Sequence, residues 1–154
     1  MWYGALPTAV RVAIACVAGA LAPLGQAPIN QPLAMLLLFA LAFALYRGQQ
    51  HVRDAALIGW AFGVGYFCVA LVWIVQPFQI DAERHAWMAP FALAFMGAGL
   101  ALFWGGAFWL ARALSHQSWP LVLTWTGAEV LRAYVFTGFP WASPAQALVG
   151  GMAG

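Results

Sequence analysis

The sequence contains no lysine, and its whole basic charge rests on six arginines. Only 6% of its 154 residues are charged. A soluble domain carries about 25%, so this chain cannot clothe a water-facing surface. The net charge of +2 is too small and too dispersed for nucleic-acid binding. Cysteine is scarce as well. Cys16 and Cys68 sit singly in apolar runs, which excludes a disulfide framework or a zinc pattern. Both read as small buried hydrophobes, because apolar surroundings disfavour the thiolate that a nucleophile or metal ligand requires. His51, His85 and His116 lie far apart at charged junctions, so neither a metal site nor a cofactor is expected.

What the chain does have is apolar surface, with 65% hydrophobic residues and a mean hydropathy of +0.85. That composition is one of an integral membrane protein. Arg11 followed by Val12 to Leu24 has the outline of a secretory signal, and Ala13-Ile14-Ala15-Cys16 resembles a lipoprotein cleavage site. Cleavage there would leave about four apolar residues after Arg11, against the roughly 7–15 of an h-region. The stretch is therefore a first membrane span.

Charges and prolines divide the rest into windows. Pro23, Pro28 and Pro32, with Gly25 and Asn30, make a turn after the first span, since proline removes a backbone donor and blocks helix continuation. Gln76-Pro77 closes the third window, ahead of a short charged loop, Asp81-Ala-Glu83-Arg84-His85. The expected fold is an all-α polytopic membrane protein. Its five transmembrane helices fall at about 8–24, 31–46, 55–76, 87–111 and 119–137. An incomplete sixth segment follows from Ala142, too short to span. Gly59 and Gly63 share a helix face, and Gly97, Gly99, Gly105 and Gly106 are further close-packing positions. Trp87 and Trp109 sit near the ends of the fourth span, where indole rings favour the headgroup layer.

Arginine placement sets the orientation. Arg11, Arg47, Arg53 and Arg112 fall on one side, against Arg84 in a loop that also holds Asp81 and Glu83. The excess puts the N-terminus in the cytoplasm and the end of the fifth span toward the periplasm.

That end carries Glu129-Val-Leu-Arg132, followed by Thr137-Gly-Phe-Pro-Trp141. An ionisable group at bilayer depth costs at least ~2.5–3.5 kcal/mol on the insertion scale, so an acid and a base inside an apolar run ask for a reason. Three residues apart on a helix, they are neighbours and can pair. Trp125, Glu129, Arg132 and Phe136 share one helix face, directed at the bundle interior or a water-filled cleft. Pro140 then stops the helix and leaves Phe139 and Trp141 on irregular backbone, tolerated only where protein or water satisfies its polar groups. An interhelical clamp with an aromatic belt residue would explain the pattern. A lipid site formed by Glu129, Arg132, Phe139, Pro140 and Trp141 would also explain it, with the guanidinium facing phosphate and the aromatics facing glycerol and acyl chain.

Three stretches, in order, resemble the membrane domain of bacterial apolipoprotein N-acyltransferase. They are Gly19-Ala-Leu-Ala-Pro23-Leu with Pro28, Gly59-Trp-Ala-Phe-Gly63-Val-Gly65-Tyr-Phe with Trp73-Ile74, and Glu129-Val-Leu-Arg132 leading into Thr137-Gly-Phe-Pro-Trp141. Val130 departs from the pattern, where an aromatic is frequent. The resemblance implies an inner-membrane enzyme of lipoprotein maturation. It takes an acyl chain from a phospholipid and passes it to the α-amine of the N-terminal diacylglyceryl-cysteine of an apolipoprotein. It also implies a nitrilase-like catalytic domain with a Glu–Lys–Cys triad and a thioester acyl-enzyme. A chain without lysine cannot hold that triad, so no catalytic residue is assigned here. Residues 1–154 are expected to be the N-terminal membrane part of a longer enzyme, inactive alone. Its partners would be the donor phospholipid, the acceptor apolipoprotein and the bilayer. The competing reading is a non-enzymatic small membrane protein, a transporter or an assembly partner. A transporter would more often show matched broken helices in two halves, and no internal repeat is present.

Overall fold

A computed structural model describes residues 6–135 and 142–149, and every regular element among them is helical. Helix α1 (Thr8–Leu21) runs into a 3-10 turn at Ala22–Gly25. Helices α2 (Pro32–Arg47), α3 (Val52–Ala70), α4 (Ala82–His85), α5 (Ala89–Leu114), α6 (Pro120–Val135) and α7 (Gln146–Val149) follow. Three stretches, Thr8–Gly25, Val52–Ala70 and Ala82–Leu114, are long and apolar enough to cross a membrane, and Pro32–Arg47 is a shorter apolar helix. Leu37, Phe95, Leu102 and Leu123 point outward and are each at least 64% exposed. Only lipid solvates such a surface. The fold is a polytopic membrane domain.

Helix α3 is the centre of the bundle, with α1 packed on one side and α5 on the other, and α6 covering α5. The contact with α1 is made backbone to backbone. A Cβ on Gly19 would strike the Phe62 carbonyl, and one on Gly65 would strike the Cys16 carbonyl. Between α3 and α5, Gly59 faces the Phe108 ring, Gly63 faces Ala101 and Gly97 faces Cys68, so the two helices run antiparallel. Helix α6 is antiparallel to α5 in turn, its Thr124 hydroxyl donating to the Ala107 carbonyl at 2.9 Å.

Local sequence explains where the helices stop. The third expected window, 55–76, is α-helical only to Ala70. From Val72 to Gln79 it winds as 3-10 helix around Pro77. In an α-helix the Pro77 ring would press on the carbonyl four residues earlier, and the tighter winding avoids that clash. Asp81–His85 is not a loop. The Asp81 carbonyl accepts from the backbone N–H groups of Arg84 at 3.2 Å and His85 at 3.0 Å, closing one helical turn. Of the four small residues expected to pack in α5, Gly99 and Gly106 face open space, where a Cβ would meet nothing within 4 Å.

Four arginines gather at one end of the bundle, and two of them are built into it. Arg112, 4% exposed, lies 4.4 Å over the Tyr46 ring and donates to the carbonyls of Tyr46 at 3.1 Å and His116 at 2.7 Å. Buried Gln49 accepts from Arg11 at 2.8 Å and donates to the Leu45 carbonyl at 2.7 Å. The Leu45 and Tyr46 carbonyls at the C-terminal end of α2, which also accept from the backbone N–H groups of Gly48 and Gln49, thereby gain side-chain donors.

Candidate functional site

At the opposite end of the bundle, α6 brings Glu129 and Arg132 together. Their spacing puts them one above the other on the inward face. Arg132 donates through Nη2 to Glu129 Oε2 at 2.7 Å and through Nε to Oε1 at 3.2 Å. Trp104 of α5 donates its indole N–H to the same Oε1 at 2.7 Å. Arg132 is 1% exposed, and its guanidinium lies 5.1 Å from the centre of the Phe67 ring on α3. The two charges cancel. The ring face also attracts the cation, and the carboxylate gains a neutral donor. The pair is thus tied to α3 and α5 as well as to its own helix.

Aromatic rings surround it. Trp104, fully buried, stacks on Phe62 at 5.6 Å and meets Phe67 at 4.8 Å, Tyr66 at 5.0 Å and Trp125 at 5.2 Å. Trp125 in turn stacks on Phe39 of α2 at 5.1 Å. Beside this cluster an apolar cavity of about 340 Å³ lies between Phe39, Val122, Trp125, Glu129 and Pro144. The Glu129 side chain, 22% exposed, forms part of its wall.

The far wall comes from the segment after α6, and polar groups hold it there. Gln26, in the turn between α1 and α2, donates to the Tyr66 hydroxyl at 2.8 Å and to the Ser143 carbonyl at 3.1 Å. The Tyr66 hydroxyl donates to the Ala142 carbonyl at 3.0 Å. Ala142 has a φ of 48°, a left-handed conformation that costs a residue with a Cβ roughly 1–2 kcal/mol. The two hydrogen bonds from Tyr66 and Gln26 secure the backbone at that point.

Of the five residues expected to form a site, the structure joins Glu129 and Arg132, while Phe139, Pro140 and Trp141 lie outside the described residues. The shared face of Trp125, Glu129 and Arg132 does point inward; Phe136 is also outside the described residues. Sequence reasoning missed Trp104, Phe67, Gln26 and Tyr66. The available signal was weak: Gln26 is an amide amid prolines, and Tyr66 puts a hydroxyl into an apolar glycine-rich helix.

Residues 18–153 match the family model described as the apolipoprotein N-acyltransferase N-terminal domain. The chain belongs to this family. It is 42% identical over 147 residues to an apolipoprotein N-acyltransferase of Caulobacter vibrioides, covering 92% of this chain and 28% of that protein. It is 39% identical over 140 residues to the one from Rhodopseudomonas palustris, covering 85% of this chain and 26% of that protein. A third, from Sinorhizobium medicae, is 35% identical over 144 residues, with 85% and 27% covered. The chain thus spans about a quarter of the length of these relatives. The matched region of this acyltransferase-family domain contains every residue of the Glu129 site, from Gln26 to Ser143.

Proposed function

We propose that this chain is the membrane part of an inner-membrane N-acyltransferase of lipoprotein maturation. The complete enzyme takes an acyl chain from a phospholipid and delivers it to the α-amine of an N-terminal diacylglyceryl-cysteine. The observation that carries this reading is the neutralised Glu129–Arg132 pair bordering an apolar cavity of about 340 Å³ at one end of a membrane bundle. An acyl chain needs apolar walls, and here Phe39, Val122 and Trp125 supply them. A bare carboxylate on that wall would demand water. One already bound by Arg132 and Trp104 does not, so hydrocarbon can lie beside it.

Arg132 acts through Glu129 in this reading. Its guanidinium donates to the carboxylate at 2.7 and 3.2 Å, which holds Glu129 neutralised and in place. Phe139, Pro140 and Trp141 follow α6 in sequence and are proposed to contact the same lipid. The covalent step is two-stage acyl transfer through a thioester, with a nucleophilic cysteine activated by its neighbours. Without lysine, these 154 residues do not supply the Glu–Lys–Cys triad for it. They position lipid, and the nitrilase-like domain of the complete enzyme performs the transfer.

Thr126 stands on the exposed rim of the cavity. In a complete enzyme containing this segment, Thr126→Trp should fill the cavity and leave the interior untouched. Acyl transfer from phospholipid to a diacylated lipopeptide should slow by roughly tenfold or more, the scale of losing a little apolar contact in a hydrophobic pocket. The KM for phospholipid should rise while the melting temperature holds. Unchanged transfer kinetics with a filled cavity would remove the acyl chain from this site.

A further inference from the structure

A second groove of about 510 Å³ opens on the outer surface between α3 and α5, at the arginine-rich end of the bundle. It is separate from the Glu129 site: Arg53 lies about 20 Å along α3 from Phe67 at 1.5 Å per residue. Arg53, Leu57 and Trp60 form its α3 side, and Leu102, Gly106 and Trp109 its α5 side. Both sets follow the i, i+4, i+7 spacing of a single helix face, so two matched stripes run side by side over about two helical turns.

Three features make this groove more than a gap between helices. Gly106 lines it on the α5 side, yet a Cβ there would meet nothing within 4 Å, so helix packing does not explain the missing side chain. Trp60 is fixed as a wall by its indole N–H, which donates to the Ala98 carbonyl at 3.2 Å. Arg53 is the one charged group lining the groove, and among the described residues it makes no ion pair or hydrogen bond. The Trp109 indole N–H, at the same end, likewise has no acceptor among the described residues.

We propose that this groove holds an anionic glycerophospholipid distinct from the acyl donor. Its phosphate lies against the Arg53 guanidinium and the Trp109 indole N–H, and one acyl chain runs over Gly106 between Trp60 and Leu102. The charge complementarity is one-sided, since among the described residues a single cation without an ion pair lines an otherwise apolar channel. Basic pockets between transmembrane helices recognise anionic headgroups on these grounds. The guanidinium offers a planar fork to phosphate, and the tryptophan belongs at headgroup level.

The test is a titration of the full chain in detergent with phosphatidylglycerol and, separately, phosphatidylcholine of identical acyl chains, read as lipid adducts by native mass spectrometry. Phosphatidylglycerol should bind about fivefold more tightly, the contribution of one arginine near the membrane surface. Arg53→Gln should erase that preference, while Arg47→Gln should keep it. Gly106→Leu should weaken both lipids, with helical content unchanged by circular dichroism. Equal affinity for the two lipids in the wild type would overturn the proposal. So would a preference that survives Arg53→Gln, or one lost equally in Arg47→Gln. A dimer without lipid adducts would assign the groove to a second copy of the chain and overturn it as well.

Discussion

Glu129 and Arg132 are not equivalent partners, although they share one ion pair. Arg132 is 1% exposed, whereas the Glu129 side chain keeps 22% of its surface open to the cavity. Removing Glu129 takes the carboxylate away from a buried guanidinium. Glu129→Leu should therefore cost about 3–5 kcal/mol, the penalty for breaking a buried pair from one side. Arg132→Leu leaves a carboxylate that still has the Trp104 donor and an opening to the cavity, so it should cost less. The double substitution should recover most of the loss, because an apolar pair of similar volume is often neutral relative to the ion pair it replaces. Thermal unfolding in detergent of both single variants and the double variant gives the coupling directly; additive losses would mean that the two side chains do not act as a unit. The pair itself was legible in the sequence, because its spacing of three residues is a local property of a helix. Its environment was not. Trp104 lies 25 residues away from Glu129, and the Gln26–Ser143 bond spans 117 residues. Nothing local distinguishes Trp104 among nine tryptophans, and only the packing of α5 against α6 gives it a carboxylate.

Helix against helix, small residues decide how closely elements approach, and their positions divide into two kinds. Gly19 and Gly65 each place backbone directly against backbone between α1 and α3. Gly19→Ala should force those helices apart, costing about 1–3 kcal/mol as overpacking does in a tight core. Gly99 faces open space, and Gly99→Ala should instead stabilise α5 by about 0.5–1 kcal/mol through helix propensity. Melting temperatures of the two variants should move in opposite directions, and a shared direction would show that propensity or packing dominates at both. Spacing alone could not separate these cases. It grouped Gly97, Gly99, Gly105 and Gly106 together, because glycine marks only the opportunity for close approach. Which of them faces α3 depends on the rotation of α5. That rotation is set by Phe108 and Trp104 packing inward, a tertiary fact. The helix ends were legible where a proline acts locally, as at Pro32. They were less so at Ala70, where Pro77 changes the winding a full turn and more before its own position.

For the molecule as a whole, the arginines carry the argument about orientation, and the fold changes how they should be weighed. Arg11, Arg47, Arg53 and Arg112 share one end, but Arg112 is buried on the carbonyls of Tyr46 and His116 and Arg11 is bound to Gln49. Those two have structural duties that would hold in either orientation. Arg47 and Arg53 are exposed and make no ion pair among the described residues, while the opposite face offers Arg84 with Asp81 and Glu83 beside it. The imbalance survives this stricter count, since the rule weighs arginine and lysine in short loops and gives acids little influence. The N-terminus and the α5–α6 connection should therefore be cytoplasmic, with Glu83 and the Glu129 site toward the periplasm. In a chain with Cys16 and Cys68 replaced by alanine, Glu83→Cys should react with a membrane-impermeant thiol reagent in intact cells. Ser115→Cys should react only after the cells are opened. The reverse pattern would invert the bundle and put the Glu129 cavity on the cytoplasmic face. It would then separate the cavity from any periplasmic acyl transfer, however well its walls suit an acyl chain.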